Sequence, residues 1–203
     1  MLVQNLCVDN NIEIPYRFGN RLGDGADGEC FDILESNKVI KLCVLLDYPT
    51  RNLDNDYLNV SNTINFIKNK SIRAYAQVHD FKYLGRYNRP HVEMVDGQDY
   101  ILYYYTMEKL NHLTDDEKKI FHSILSHEDS GRPKNYEILK IKKMLKGMAT
   151  ALDFDEEKVT FFCEELKRAP IIHNDIHIRN IMKDNCGNFK MIDFDRCKIK
   201  NYE

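Results

Sequence analysis

The 203-residue chain has no Cys-x-x-Cys pair, no Cys/His cluster at zinc-ligand spacing, no apolar run of about 20 residues and no marked excess of either charge. Each absence removes a class. Six scattered cysteines (Cys7, Cys30, Cys43, Cys163, Cys186, Cys197) without metal or redox spacing read as free thiols in a reducing compartment. The start MLVQNLCVDNN lacks both a positively charged leader and an apolar stretch of signal-peptide length, so a cytoplasmic address with no membrane span is expected. A net charge of -3 gives no basic surplus for a phosphate backbone, and nucleic acid is not expected as a partner. No internal repeat or low-complexity segment breaks the chain. What remains is 43% hydrophobic and 30% charged, the balance of a soluble globular protein large enough to bury a core without staples.

The hydrophobic pattern changes period along the chain. YRFGNRL, ECFDILE and KVIKLCVLL (from residues 16 to 46) read as strands around the glycine turn GDGADG and a Ser36-Asn37 hairpin. From Leu53 the apolar residues Leu53, Tyr57, Val60, Ile64 and Ile67 share one helical face. VHDFKYLG and DYILYYYTMEKL then read as two further strands. Thr114 and Glu117 form a capping box at the head of a helix, and helices are expected near 136–152 and over 156–168, with Pro170 ending the last. Between the first two lies the loop EDSGRP. Lys140, Lys142, Lys143 and Lys146 read as the solvated face of a helix whose apolar face is Ile138, Ile141 and Leu145. Strands first and helices second predict an α+β chain of two lobes, 1–108 and 109–203.

The polar residues cluster in HNDIHIRN (173–180) and KMIDFD (190–195). Phosphoryl transfer needs an aspartate that orients an acceptor hydroxyl and oxygen ligands for magnesium, and Asp175, Asn180 and Asp193 supply them. An apolar run precedes each group, which predicts loops at the ends of short buried strands. Upstream, Gly23, Gly25 and Gly28 stand in a Gly-x-Gly-x-x-Gly between strands, where backbone amides can approach phosphates. A dinucleotide fingerprint would need a helix directly afterwards, and ECFDILE reads as strand. Lys41, flanked by Val39, Ile40 and Leu42, is a lysine in a buried strand and calls for a role.

This order of motifs resembles the protein-kinase-like family: catalytic-loop His-x-Asp-x-x-x-x-Asn, metal-binding Asp-Phe-Gly, glycine loop and strand lysine. The resemblance implies a β-rich N-lobe and a reduced, mainly helical C-lobe that use ATP and Mg2+. Asp175 would act on the acceptor, Asn180, Asp193 and Asp195 on the metal, and Lys41 with the glycine loop on the phosphates. Cys30 would stand where the family packs a valine on adenine. Met107, Glu108 and Lys109 would offer backbone hydrogen bonds to the base, with Tyr105 or Met107 lining its pocket.

Four departures shape the expectation. The helix over 51–70 has no glutamate to pair with Lys41, so Asp56 is expected as the substitute. Asp24 and Asp27 place negative charge in the phosphate loop unless both side chains turn outward. His177 and Asp195 resemble aminoglycoside, sugar and lipopolysaccharide-core kinases. The sequence runs eight residues past Asp195, without an activation segment or Ala-Pro-Glu motif, and in this it resembles truncated phage- or effector-type kinases, which work in a host cytoplasm. The acceptor implied is a protein Ser/Thr hydroxyl, with a small-molecule kinase and a non-catalytic binding module as alternatives.

Overall fold

The structure, a computed structural model, describes residues 3–25, 28–47, 52–88, 99–126, 138–149 and 151–200, with backbone only at 138–140. Asp27, the EDSGRP loop, the expected helix start at 136 and the Lys140 side chain therefore lie outside the described residues. The chain is a mixed α and β protein that forms two compact units, Met1–Lys70 with Gln77–Lys109, and Ser71–Ala76 with Leu110–Glu203.

In the first unit, β1 (Phe18–Gly25), β2 (Gly28–Ile33), β3 (Lys38–Leu46), β4 (Val78–Asn88) and β5 (Asp99–Glu108) form one sheet in the order β1-β2-β3-β5-β4, every pair antiparallel. Side chains alternate between faces along a strand, so register decides what each face carries. Ile40, Leu42 and Val44 of β3 join Leu102 and Tyr104 of β5 on a face covered by Val3, Leu6 and Cys7 of a short helix, α1 (Val3–Asp9). The opposite face carries Lys41 opposite Tyr105 and Cys43 opposite Tyr103. There α2 (Leu53–Lys70) packs, with the Tyr57 ring against Phe81, Tyr83 and Tyr103 and with Val60, Ile64 and Ile67 buried.

The second unit holds α3 (Asp115–Ser126), α4 (Ile138–Met148) and α5 (Glu156–Arg168). Phe121 of α3, Phe162 of α5 and Phe189 meet edge to face with centroids 4.9–6.1 Å apart. The Thr114 capping box is closed at both ends: Glu117 N–H donates to Thr114 Oγ1 and Thr114 N–H to Glu117 Oε2. Two short antiparallel ribbons complete the unit, β6 (Ile171–His173) with β9 (Cys197–Ile199) and β7 (Ile181–Lys183) with β8 (Phe189–Met191). The segment between α2 and β4 belongs here as well. Tyr75 bridges Met191 in parallel, Met191 N–H donates to Ala74 O, and Ala76 N–H donates to Met191 O. Among the described residues no helix is long and apolar enough to cross a membrane.

Candidate functional site

The candidate residues divide between the units. In the first, β1 and β2 form a hairpin that pairs Gly23 with Cys30, Asp24 with Glu29 and Gly25 with Gly28. Cys30 pairs with Lys41, so Gly23, Cys30 and Lys41 share one face of the sheet. Asp24 falls on the other face with Glu29 and Leu42. There Arg21 Nη2 lies 3.3 Å from Asp24 and 2.9 Å from the buried Glu29, whose other oxygen accepts from Gln4 N–H of α1 at 2.9 Å. The Asp24 charge is thus turned away from Lys41 and balanced by a guanidinium.

A Cβ on Gly28 would meet the Leu42 carbonyl oxygen at 2.4 Å and the Lys41 Cε at 3.3 Å, so the lysine stem runs directly over this glycine. Gly23 and Gly25 face open space, with nothing within 4 Å and no positive φ. Asp56, the expected partner of Lys41, and Asp54 are the acidic residues of α2, and Asp54 binds Arg86 at 3.1 Å. Both aspartates stand in the first turn of α2, where negative charge complements the helix dipole.

The end of β5 carries the residues expected beside the base. Met107 is paired on both sides, with Val39 and Val78. Glu108 N–H donates to Gln77 O at 3.0 Å and Lys109 N–H to Asn37 O at 3.2 Å, so these two donors are already engaged within the sheet. The next amide, Leu110 N–H, is in no backbone hydrogen bond among the described residues. Lys109 also pairs with Asp32 at 2.7 Å.

In the second unit the loop after β6 carries Asp175 and the loop after β8 carries Asp193. Hydrogen bonds tie the two loops together. His173 Nε2 lies 2.9 Å from Ile192 O, and Ile192 N–H donates to Asn180 O at 2.9 Å. His173 Nδ1 accepts from Asp175 N–H at 3.3 Å, which places the ring proton on Nε2. Burial holds this imidazole below its ordinary pKa, against a smaller opposing effect of the Ile192 carbonyl. The Tyr75 ring stacks on it with centroids 6.3 Å apart, and the Phe194 ring lies 6.2 Å from that of Tyr75. Nothing in the motif spacing pointed to Tyr75.

Asn180 is buried at the end of a single 3-10 turn, Ile178–Asn180. Its Nδ2 donates to Asp175 O at 3.0 Å. A carbonyl can only accept, so the amide is oriented with its oxygen as the remaining ligand atom. Asp193 adopts a left-handed backbone, φ +67°, uncommon for a residue with a Cβ and concentrated at functional sites. Among the described residues no three or more His, Cys, Asp or Glu side chains gather as a metal cluster. Magnesium asks for less, because it binds through one or two carboxylates together with phosphate oxygens and water. An oriented amide oxygen on Asn180, whose backbone is bonded to the residue before Asp193, is a donor of the kind that demand names.

No family model and no curated protein matches the chain. Among solved structures it is similar to the ROP18 kinase domain in complex with AMP-PNP and sucrose, with a TM-score of 0.46 and 17% identity over 91% of this chain and 52% of that one. The chain thus spans about half the length of that neighbour.

Proposed function

We propose that this chain is an ATP- and magnesium-dependent phosphotransferase acting on a hydroxyl acceptor, the Ser or Thr of a protein. The observation that carries this reading is the bonded pair of loops in the second unit, in which Asp175 and Asn180 are hydrogen-bonded to each other and Asn180 is bonded to the residue before Asp193. Asp175 accepts the hydroxyl proton as the acceptor oxygen bonds to the γ-phosphorus. The bond from that phosphorus to the bridging oxygen breaks, and ADP leaves with the electron pair. Asn180, Asp193 and Asp195 would hold Mg2+, which supplies charge neutralisation at the phosphate oxygens. In the first unit, Lys41 and the amides at Gly23, Gly25 and Gly28 hold the phosphates, with Cys30 and Met107 beside the base.

His177 lies 3.5 Å from Asp175, and together with Asp195 it favours a second reading, in which the acceptor is a sugar or another small molecule. Labelled ATP and Mg2+ supplied with protein substrates in one arm and sugars and aminoglycosides in another separate the two. Asp175→Ala should lower turnover by about 100- to 10,000-fold with nucleotide binding retained. Asp193→Ala should abolish the magnesium-dependent rise in melting temperature that ATP gives the parent chain. A folded parent chain that neither turns over ATP nor binds it with Mg2+ would overturn the reading and leave a non-catalytic binding module.

A further inference from the structure

Two residues beyond Asp175, the chain reaches a turn that cannot hold itself. Ile178–Asn180 is one turn of 3-10 helix, the shortest such element, and its first amides need an acceptor from outside. Ser, Thr, Asp or Asn ordinarily supplies one. Here His177 does, in extended conformation (φ −148°, ψ 164°), with Nδ1 accepting from Arg179 N–H at 3.2 Å. Its backbone carbonyl accepts from Asn180 N–H at 2.9 Å, so both ends of His177 fix the residue that carries the oriented amide.

A histidine cap differs from the usual ones in having a second nitrogen across the ring. With Nδ1 accepting, the neutral ring carries its proton on Nε2. That nitrogen lies 3.5 Å from Oδ2 of Asp175. That separation is a contact at ion-pair distance, longer than a formed hydrogen bond, and catalytic hydrogen bonds are often long until reactants bind. The other oxygen, Oδ1, accepts no hydrogen bond among the described residues. The imidazole side chain is 43% exposed, so it fills no core space that a substitution would empty.

We propose that His177 is a positioning residue. One imidazole caps the turn that sets Asn180 and at the same time engages Oδ2 of Asp175, leaving Oδ1 to receive the acceptor's proton. This rests on the phosphotransferase reading for its effect on rate, while the geometry it asserts stands apart from activity. A shorter cap separates the two duties. His177→Asn keeps a side-chain acceptor for Arg179 N–H and removes the nitrogen facing Asp175, whereas His177→Ala removes both.

The expected result for His177→Asn is an unchanged melting temperature, a KM for ATP within about twofold of the parent and a kcat lowered about tenfold or more. His177→Ala should lower kcat further and raise the magnesium concentration needed for half-maximal rate. A His177→Asn variant with parental kcat would overturn the proposal. Nitrogen-15 NMR of histidine-labelled protein decides the geometry without any turnover. His177 should show the Nε2–H tautomer, with an Nε2 resonance that moves in Asp175→Asn. An Nδ1–H tautomer, or a resonance indifferent to Asp175→Asn, would overturn the proposal even in an active enzyme. A parent chain without phosphotransfer but with the expected NMR response would sink the functional reading and leave the positioning role standing.

Discussion

A Cβ added to Gly28 would press 2.4 Å from the Leu42 carbonyl oxygen, whereas one added to Gly23 or Gly25 would meet nothing within 4 Å. One sequence motif therefore contains two kinds of glycine. Gly28 is demanded by the pairing of β2 with β3 and by the lysine stem above it. At Gly23 neither a neighbour nor a positive φ demands glycine, and on the phosphotransferase proposal the approach of a phosphate would give it a use. Gly28→Ala should cost about 1–3 kcal/mol, read as a lower urea midpoint at constant slope. Gly23→Ala should change stability by no more than about 0.5 kcal/mol while weakening the stabilisation that ATP with Mg2+ confers in a thermal melt. Equal losses of stability at the two positions would contradict this division. The motif could be found in the sequence. The distinction within it could not, because it depends on which strand lies across from each glycine.

At the scale of elements, β6 and β8 present their loops to each other through His173. Its Nδ1 already receives Asp175 N–H, so a second ring proton would set donor against donor. Burial lowers its pKa from the ordinary value of 6.5. Between the depressed value and 6.5 the unfolded chain binds the proton and the folded chain does not, so ΔG of unfolding rises with pH across that window. The contribution is complete above about pH 6.5 and is lost as the pH falls through it. The urea midpoint should therefore drop between about pH 7.5 and about 5.5, and His173→Gln should flatten that part of the profile. An unaltered profile in the variant would assign the pH dependence elsewhere.

Much of this level was legible. Runs rich in β-branched and aromatic residues, bounded by turn signals, gave the five strands of the sheet, the fully buried β5 among them, and helical spacing with caps gave α2, α3 and α5. The Thr114 box was visible because both of its partners lie within four residues. What stayed hidden was set by distant partners. α1 is only seven residues long and is held by Glu29 and by the sheet face beneath it, neither of which its own residues announce. The turning of Asp24 toward Arg21 is a matter of register. That the amides of Glu108 and Lys109 bond to Gln77 and Asn37 depends on residues far away in the sequence.

For the whole molecule, the change from strands to helices along the sequence announced a mixed α and β chain, and the structure has that composition. It did not announce that Ser71–Ala76, lying between α2 and β4, belongs with residues that begin at Leu110. No local pattern marks six residues whose partner is Met191. The consequence concerns the order of synthesis. When residue 109 has left the ribosome, every strand of the five-stranded sheet is available to pair, whereas the Ala76 amide and the Ala74 carbonyl wait for a β8 that does not yet exist. In pulse-labelled hydrogen exchange during refolding of the full chain, the Glu108 amide should gain protection with the sheet, and the Ala76 amide only together with Met191. Simultaneous protection of Glu108 and Ala76 ahead of Met191 would refute this order. In the growing chain, the stretch around Tyr75 is therefore a late-closing apolar segment, open to chaperone capture for most of the time that the second unit takes to be translated.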